Sequence, residues 1–361
     1  MARISLKLGY VTKVIQNTPH YQILEVLVEN ETRKTRLYKK FCPESKPGET
    51  VLLNQVAREL NLGSGGEDFV VSNLSRPVLI NNGKGHIMKL RYTPYQFAVP
   101  SIEEFYEYKL AEKNFRSLMP MKIAVGELHS MVAPISYTLK AKDPNCKIIY
   151  IMTDGAALPL ELSNNISKLK QENIINKTIT VGNAFGGDYE AVNIYSALIA
   201  SRMMFNPDYV IVTMGPGIVG TATSFGFSGM EQVENLLAVK RLGGKGTLIP
   251  RISFADKRER HFGMSHHTRS VISTLNTAVE VPMPVLENKD KLKYLVNQYK
   301  KIKPEYLQRK AGHRFVWLNT TGAIDFFNGI HHPFITMGRS LEEDSDFFKT
   351  LYGVSKWFSR C

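Results

Sequence analysis

A chain of 361 residues, 43% of them apolar and 22% charged, is long enough for two packed domains and has the balance of an ordinary globular protein. Its formal net charge of +13 favours anionic partners such as phosphorylated metabolites or nucleic acid. No run approaches the roughly 18 apolar residues that span a membrane, so no membrane partner is expected, and three scattered cysteines, Cys42, Cys146 and Cys361, argue against both a disulfide framework and a Cys-based zinc site, so a reduced, cytoplasmic protein is expected.

Residues 1–95 are expected to form a small β-barrel with a connector. Residues 1–8 alternate apolar and polar, the pattern of an amphipathic strand rather than a signal peptide's apolar run. Strands are expected at 4–8, 11–15, 23–28 and 35–38. The turn signal Lys46-Pro47-Gly48-Glu49 precedes another at 51–53, and a Gly-rich turn at 61–66 precedes one at 68–71. Six short strands with tight turns have the size of an OB or SH3-like barrel. Residues 75–95, with Asn81-Asn82-Gly83 and Thr93-Pro94, read as a connector that is extended over 87–92. Basic residues gather at Arg33-Lys34-Thr35-Arg36 with Lys39 and Lys40, and again over 289–314. A solvated basic face is the plain explanation of such runs, and polyanion binding the functional one.

From residue 96 the period changes to that of helices and buried strands. Residues 96–361 are expected to form a mostly parallel, doubly wound, Rossmann-like α/β domain. A helical stretch at 99–119 leads to a strand at 121–125. Strands at 147–152, 178–181, 209–214 and 247–252 then alternate with helices at 127–141, 159–172, 187–205, 228–242 and 266–276. A strand pair is expected at 314–318 and 333–337. Ser340, three residues before Glu343, signals a capping box for a last helix with Phe347, Phe348, Leu351 and Tyr352 on its apolar face. Trp357 and Phe358 are expected to dock its end.

Four of these strands end in loops of Gly and polar residues, and open parallel sheets bind ligands outside the carboxyl ends of their strands. Gly215-Pro-Gly217-Ile-Val-Gly220 fits the dinucleotide pattern GxGxxG. The residues through Gly229 are loop-like, so no helix is expected to open there and hold a pyrophosphate, and NAD is disfavoured. Gly215, Gly217 and Thr221 remain candidates for a backbone anion nest. The densest polar stretch runs from Asp256 to His267. Arg258 and Arg260 there suit a phosphate or carboxylate, and Arg339 adds a further cation. His261 and His266 are candidates for proton transfer near neutral pH. Ser265 is a reasonable N-cap for the following helix.

Asp154 and Asp188 stand at strand ends, as acid, base or holders of a hard cation, or as a plain turn residue and helix cap. A divalent metal therefore has Asp154, Asp188 and His266 as candidate ligands. His266 and His267 are not expected to share one, because neighbours on a helix point about 100° apart, but either of them could ligate with His261, Asp154 or Asp188. His129 beside Ser130 invites a nucleophile reading that adjacent residues cannot easily satisfy. Gly226-Phe-Ser228-Gly229 misses the GxSxG elbow by one residue, so no hydrolase triad is expected.

Read together, Gly48-Glu-Thr-Val-Leu-Leu-Asn54, Leu60-Asn-Leu-Gly-Ser-Gly-Gly66, Met152-Thr-Asp-Gly155, Ala184-Phe-Gly-Gly-Asp188 with Glu190, Gly215-Pro-Gly217, Gly226-Phe-Ser-Gly229, Arg258-Glu-Arg-His261, Ser265-His-His267 and Thr336-Met-Gly-Arg339 carry a resemblance. Over nearly its whole length the chain resembles an uncharacterised bacterial family known as domain of unknown function 3866. The resemblance implies a cytoplasmic bacterial protein and carries no catalytic assignment. Ala156 and Glu127 stand where the family pattern has Gly and Asp. The residues themselves point to an enzyme, a hydrolase or group transferase, acting on a small phosphorylated or carboxylated substrate at the strand carboxyl ends. The alternative is a nucleic-acid-binding or ligand-sensing regulator that uses the basic barrel.

Overall fold

The computed structural model describes residues 4–60, 66–78, 84–155, 157–308 and 311–359. The expected turns at 61–65 and 81–83, and Ala156 and Cys361, lie outside the described residues. Two compact units are present, residues 1–84 with 90–98, and residues 85–89 with 99–361.

The first unit is a closed five-stranded barrel. Its strands are β1 (Leu6–Asn17), β2 (Tyr21–Val28), β3 (Glu31–Tyr38), β4 (Thr50–Asn54) and β5 (Asp68–Asn73), closed in the order β1-β2-β3-β5-β4, with a one-turn helix α1 (Val56–Glu59). The two strands expected at 4–8 and 11–15 are one. Irregularities in register between Val11 and Lys13 and between Val14 and Gln16 bend β1, so it can serve two edges of the barrel. Val11, Leu24, Val26, Leu37, Val51 and Leu53 fill the interior. The basic run on β3 is largely met by carboxylates: Lys34 and Arg36 by Glu67, Arg33 by Glu31, and Lys39 by Glu44.

Two three-residue strands, β6 (Ile87–Lys89) and β7 (Phe97–Val99), fall in the connector. The second unit holds an eight-stranded sheet. Its members are β8 (Lys122–Gly126), β9 (Ile148–Thr153), β10 (Lys177–Val181), β11 (Tyr189–Ala191), β12 (Tyr209–Met214), β13 (Gly246–Leu248), β16 (Glu280–Val285) and β17 (Arg314–Asn319). They are ordered β11-β10-β9-β12-β8-β13-β16-β17, and every pair is parallel. Strands β14 (Ile252–Ser253) and β15 (Gly263–Met264) form a separate antiparallel pair.

Alternate residues of the central strands feed two cores, as the period of two requires. Ile123, Val125, Ile151, Val210 and Val212 face helices α5 (Ile194–Ala200), α6 (Glu231–Arg241), α7 (His266–Thr274) and α8 (Lys289–Gln308), beyond α2 (Tyr106–Asn114). Ala124, Tyr150, Met152 and Ile211 face α3 (Val132–Lys142), α4 (Asn164–Gln171), α9 (Ala323–Asn328) and α10 (Ser345–Phe358). The chain leaves β8 over the α3 face, and leaves β12 and β13 over the opposite face. A crevice therefore opens at the carboxyl end of β8, between its two neighbours, as the switch-point rule places ligands.

Several expected elements differ. The stretch 99–119 is helical only at 102–104 and 106–114. Residues 333–337 make no sheet strand, only a bridge between Thr336 and Arg339. The run 187–205 begins with edge strand β11, and the helix cap is Asn193, in a capping box with Ser196, rather than Asp188. The run 247–252 is broken between β13 and β14. Strand β16 carries Pro282 and Pro284, which argue against a strand. Arg314 donates its N–H to the Val279 carbonyl, so odd-numbered positions of β16 bond to β17 and both prolines turn toward β13, which pairs only at Glu280. Ser340 and Glu343 do exchange their reciprocal bonds, but across the turn before α10. That helix buries Phe347, Phe348, Leu351, Val354 and Phe358, each contributing about 1.5–3 kcal/mol of transfer free energy.

Candidate functional site

The carboxyl ends of two sheet strands, a hairpin loop and a helix start converge. Glu127 follows β8 directly. Arg251 follows β13, where the chain turns into the β14–β15 hairpin. The hairpin's loop carries Asp256, Arg258, Arg260 and His261, and returns through Ser265 into α7 with His266 and His267 at its start. The fold-back is held by the Ser265 N–H on the Arg251 carbonyl at 2.9 Å and the Arg251 N–H on Thr268 Oγ1 at 2.9 Å. Gly263 makes the return possible: its φ is +73°, and a Cβ there would sit 2.6 Å from Gln298 Oε1. Ser265 Oγ accepts the His267 N–H at 3.2 Å and so caps α7.

A buried charge chain crosses the crevice. Glu127 is 1% exposed and Arg251 2%, so both have left water and must be paired. Glu127 Oε1 accepts from Arg251 Nη1 at 3.1 Å and meets His267 Nδ1 at 2.5 Å. Arg251 Nη2 reaches Asp256 Oδ2 at 3.3 Å, and Arg258 clamps the same carboxylate with contacts of 2.9 and 2.7 Å. Burial pushes the Glu127 carboxyl up, but the His267 hydrogen bond and the Arg251 charge outweigh it and hold it below the usual range. Asp256 is likewise held low, mainly by Arg258 against its burial. Glu127 Oε2 and Arg260 Nε are buried with no hydrogen-bond partner among the described residues.

The histidines lie together. His261–His266, His261–His267 and His266–His267 ring centroids are 4.8, 4.9 and 4.2 Å apart. His261 Nδ1 bonds Ser265 Oγ at 2.8 Å, and the His267 ring stacks on Phe227 at 3.8 Å and 5°. Burial first, then the neighbouring arginines and His267, push His261 down to about 3. His266 is pushed down to about 4 by burial, His267 and the Arg260 and Arg269 charges. These two imidazoles are neutral at pH 7.

Two cavities meet here. A polar cleft of about 70 Å³ is lined by Arg251, Arg258, Arg260, His261, His267 and Gly220, among others. A cavity of about 510 Å³, with mainly apolar walls, is bounded by the ends of β8 and β12, the start of α4 and residues 332–337. Ile218 and Met337 belong to both walls.

The expected residues are therefore unequal. His261, His266, Arg258 and Arg260 come together. Gly215 and Gly217 line the larger cavity. Thr221 sits in an exposed hairpin-like flap closed by Ser228 and Val219, with its hydroxyl on Thr223 and the Gly226 carbonyl. Apart from one 3-10 turn at Ser228–Met230, no helix opens until α6 begins at Glu231. Arg339 is spent on Asp344 and lies 4.0 Å from Asp256. Asp154 does stand at a carboxyl end, but it ties the β9 and β10 loops through Asn183 N–H at 2.7 Å and Ala157 N–H at 3.2 Å, and lines neither cavity. Asp188 is elsewhere. The chain folds back after β10, so Asp188 bonds Thr178 near that strand's amino end and pairs with Lys170. It cannot share a ligand with the histidines. His129 and Ser130 make no bond to each other. His129 is locked by Tyr150 at 2.9 Å and Ser163 at 2.6 Å, and Ser130 bonds Thr336 at 3.0 Å. Sequence reasoning missed Glu127 and Arg251 as site residues. The signal was available for Glu127, which follows a strand, while Arg251 was hidden inside an apolar run.

Fold and site define a parallel α/β protein with a polar cleft, arginine- and histidine-lined, at the strand carboxyl ends. The chain belongs to the family described as protein of unknown function (DUF3866), which matches residues 34–354. No curated protein matches it. No helix among the described residues is long and apolar enough to cross a membrane.

Proposed function

We propose that the protein is an enzyme, a hydrolase or group transferase, acting on a small phosphorylated or carboxylated substrate in the crevice beside β8. The observation that carries this reading is the convergence of Arg251, Arg258, Arg260, His261 and His267 on one cleft that adjoins a ligand-sized cavity, with Glu127 and His266 packed against them. Such buried polar expenditure has no structural need, because apolar residues would fill the same space at less cost. Arg260, whose Nε lacks a partner among the described residues, is the natural holder of the anionic group. Burial and the arginine charges make His261 and His266 weak bases at pH 7, so in place of the expected proton transfer near neutral pH these neutral imidazoles offer lone pairs. The larger cavity's apolar wall suits the uncharged body of the substrate.

The test is a thermal-shift and turnover screen of phosphorylated and carboxylated metabolites with the parent, Arg260→Ala and His266→Ala. A compound that stabilises the parent should lose its effect in Arg260→Ala, and turnover should fall at least tenfold in His266→Ala. If both variants bind and turn over whatever the parent does, the cleft is not the site.

A further inference from the structure

Adjacent helical residues point about 100° apart, which argues against a metal shared by His266 and His267. The structure supplies what that argument lacks, a third imidazole arriving from another segment. His261, on the hairpin loop, places its ring against both, and one nitrogen from each of the three rings lies within 4.8 Å of the others.

The orientation of each ring matters more than proximity. His267 turns Nδ1 to Glu127 at 2.5 Å, and a carboxylate there accepts the Nδ1–H and leaves the Nε2 lone pair free. Metal-binding histidines are held in this way by an outer carboxylate. His261 Nδ1 lies 2.8 Å from Ser265 Oγ, and in the tautomer whose Nδ1–H donates to that oxygen its Nε2 lone pair is free. His266 lies against the Arg260 backbone, and neither of its two buried ring nitrogens makes a hydrogen bond of normal geometry among the described residues. Buried polar atoms are seldom left unmatched, and three converging lone pairs are a poor arrangement unless something electron-deficient sits among them. Of the neighbouring arginines, Arg251 and Arg258 are already met by Glu127 and Asp256, while the Arg260 and Arg269 charges that reach His266 favour an anion in any open position beside a bound cation.

We propose that His261, His266 and His267 bind a divalent cation of the zinc type, with an open fourth position on the Arg260 side of the cleft. Zinc–nitrogen bonds of about 2.05 Å in a tetrahedron put nitrogens roughly 3.4 Å apart, so the rings would close in by up to about 1.4 Å from the present 4.8 Å limit. His266, the least buried of the three, is the ring with room to turn. Three protein ligands with an open position are the arrangement of catalytic zinc, whereas structural zinc is closed by four. The adjoining 70 Å³ is enough for a water or small oxyanion in that position. Glu127 is a positioning residue, acting through His267.

This inference deepens the reading of the same cleft and rests on it only for the use made of the open position; the site itself stands on geometry. Untagged protein is stripped with chelator and titrated with Zn²⁺, and with Co²⁺ for its visible absorption. One metal per chain is expected, with intense tetrahedral cobalt bands and a raised unfolding temperature. His261→Ala and His266→Ala should abolish the cobalt bands. Glu127→Gln should weaken affinity about 10–100-fold while retaining them. Asp188→Asn should bind metal with the parent's affinity and cobalt bands, and circular dichroism shows that each variant is folded. A parent that takes up no metal, or His variants that bind as the parent does, overturn the site. Metal binding without any metabolite response defeats the enzyme reading alone, and metabolite turnover by a parent that takes up no metal defeats the metal site alone.

Discussion

Replacing Arg251 by methionine removes a guanidinium of nearly the same length from a place that is 2% exposed. Glu127 then keeps His267 but loses the 3.1 Å Arg251 contact, and its Oε2 already lacks a described partner. Asp256 keeps its clamp from Arg258. The cost is therefore that of one buried, half-compensated carboxylate, about 3–5 kcal/mol. A unit of this size melts about 2–3 °C lower per kcal/mol lost, so the expected fall is roughly 6–15 °C. Removing both charges should be milder than the sum. Glu127→Gln with Arg251→Met takes the stranded charge away, and a coupling of about 1–3 kcal/mol is expected in the cycle. Urea melts followed by tryptophan fluorescence measure this directly, because the chain's two tryptophans, Trp317 and Trp357, both lie in the second unit. A loss under about 1 kcal/mol for Arg251→Met, or strict additivity in the double variant, would refute a desolvated pair at the head of β8.

Other perturbations separate the remaining readings. Burial, with the Asp154 charge added, pushes Glu231 up to about 7 while Thr153 pulls against it. A raised carboxyl contributes stability that is full below its ordinary pKa of 4.5 and lost as pH climbs through 7. Glu231→Gln should therefore gain on the parent between pH 5 and pH 8, by at most about 3 kcal/mol, in melts across that window; a constant difference would contradict the assignment. Asp188→Asn should cost about 1–2 kcal/mol by loosening the turn at Thr178 and leave ligand response unchanged; altered response would return Asp188 to the cleft. Because the β3 basic run is largely paired, filter binding should retain no duplex DNA or RNA at 0.15 M salt. Retention that falls steeply as salt rises would favour the polyanion reading instead.

What the sequence revealed was whatever a local pattern can encode. The alternation of apolar strands and helices is written within windows of ten to twenty residues, and the barrel, the parallel sheet and the loops at the strand ends followed from it. The strands that escaped had local signals pointing elsewhere. Pro282 and Pro284 disqualify a strand by rule, and only the brevity of β13 makes them harmless. Residues 333–337 look like a strand in sequence, but they wall a cavity, pair with no strand of the sheet and end in a turn at Met337.

The site followed a different logic. Glu127 meets Arg251 across 124 positions of chain and His267 across 140, so neither charge has a local reason to be there. Asp188 shows the converse: a carboxylate just after a strand was taken to share its carboxyl end, yet the chain doubled back and put it at the other. The helix-spacing objection to His266 and His267 was sound for two residues on one helix and lost its force once His261 approached from the hairpin. Strand-end position in sequence selects candidates, but the direction in which each loop returns decides which of them meet. Here one hairpin, turning back at Gly263, brings the arginines and the histidines to Glu127 together. The chemistry of the cleft therefore depends on that return more than on any single motif.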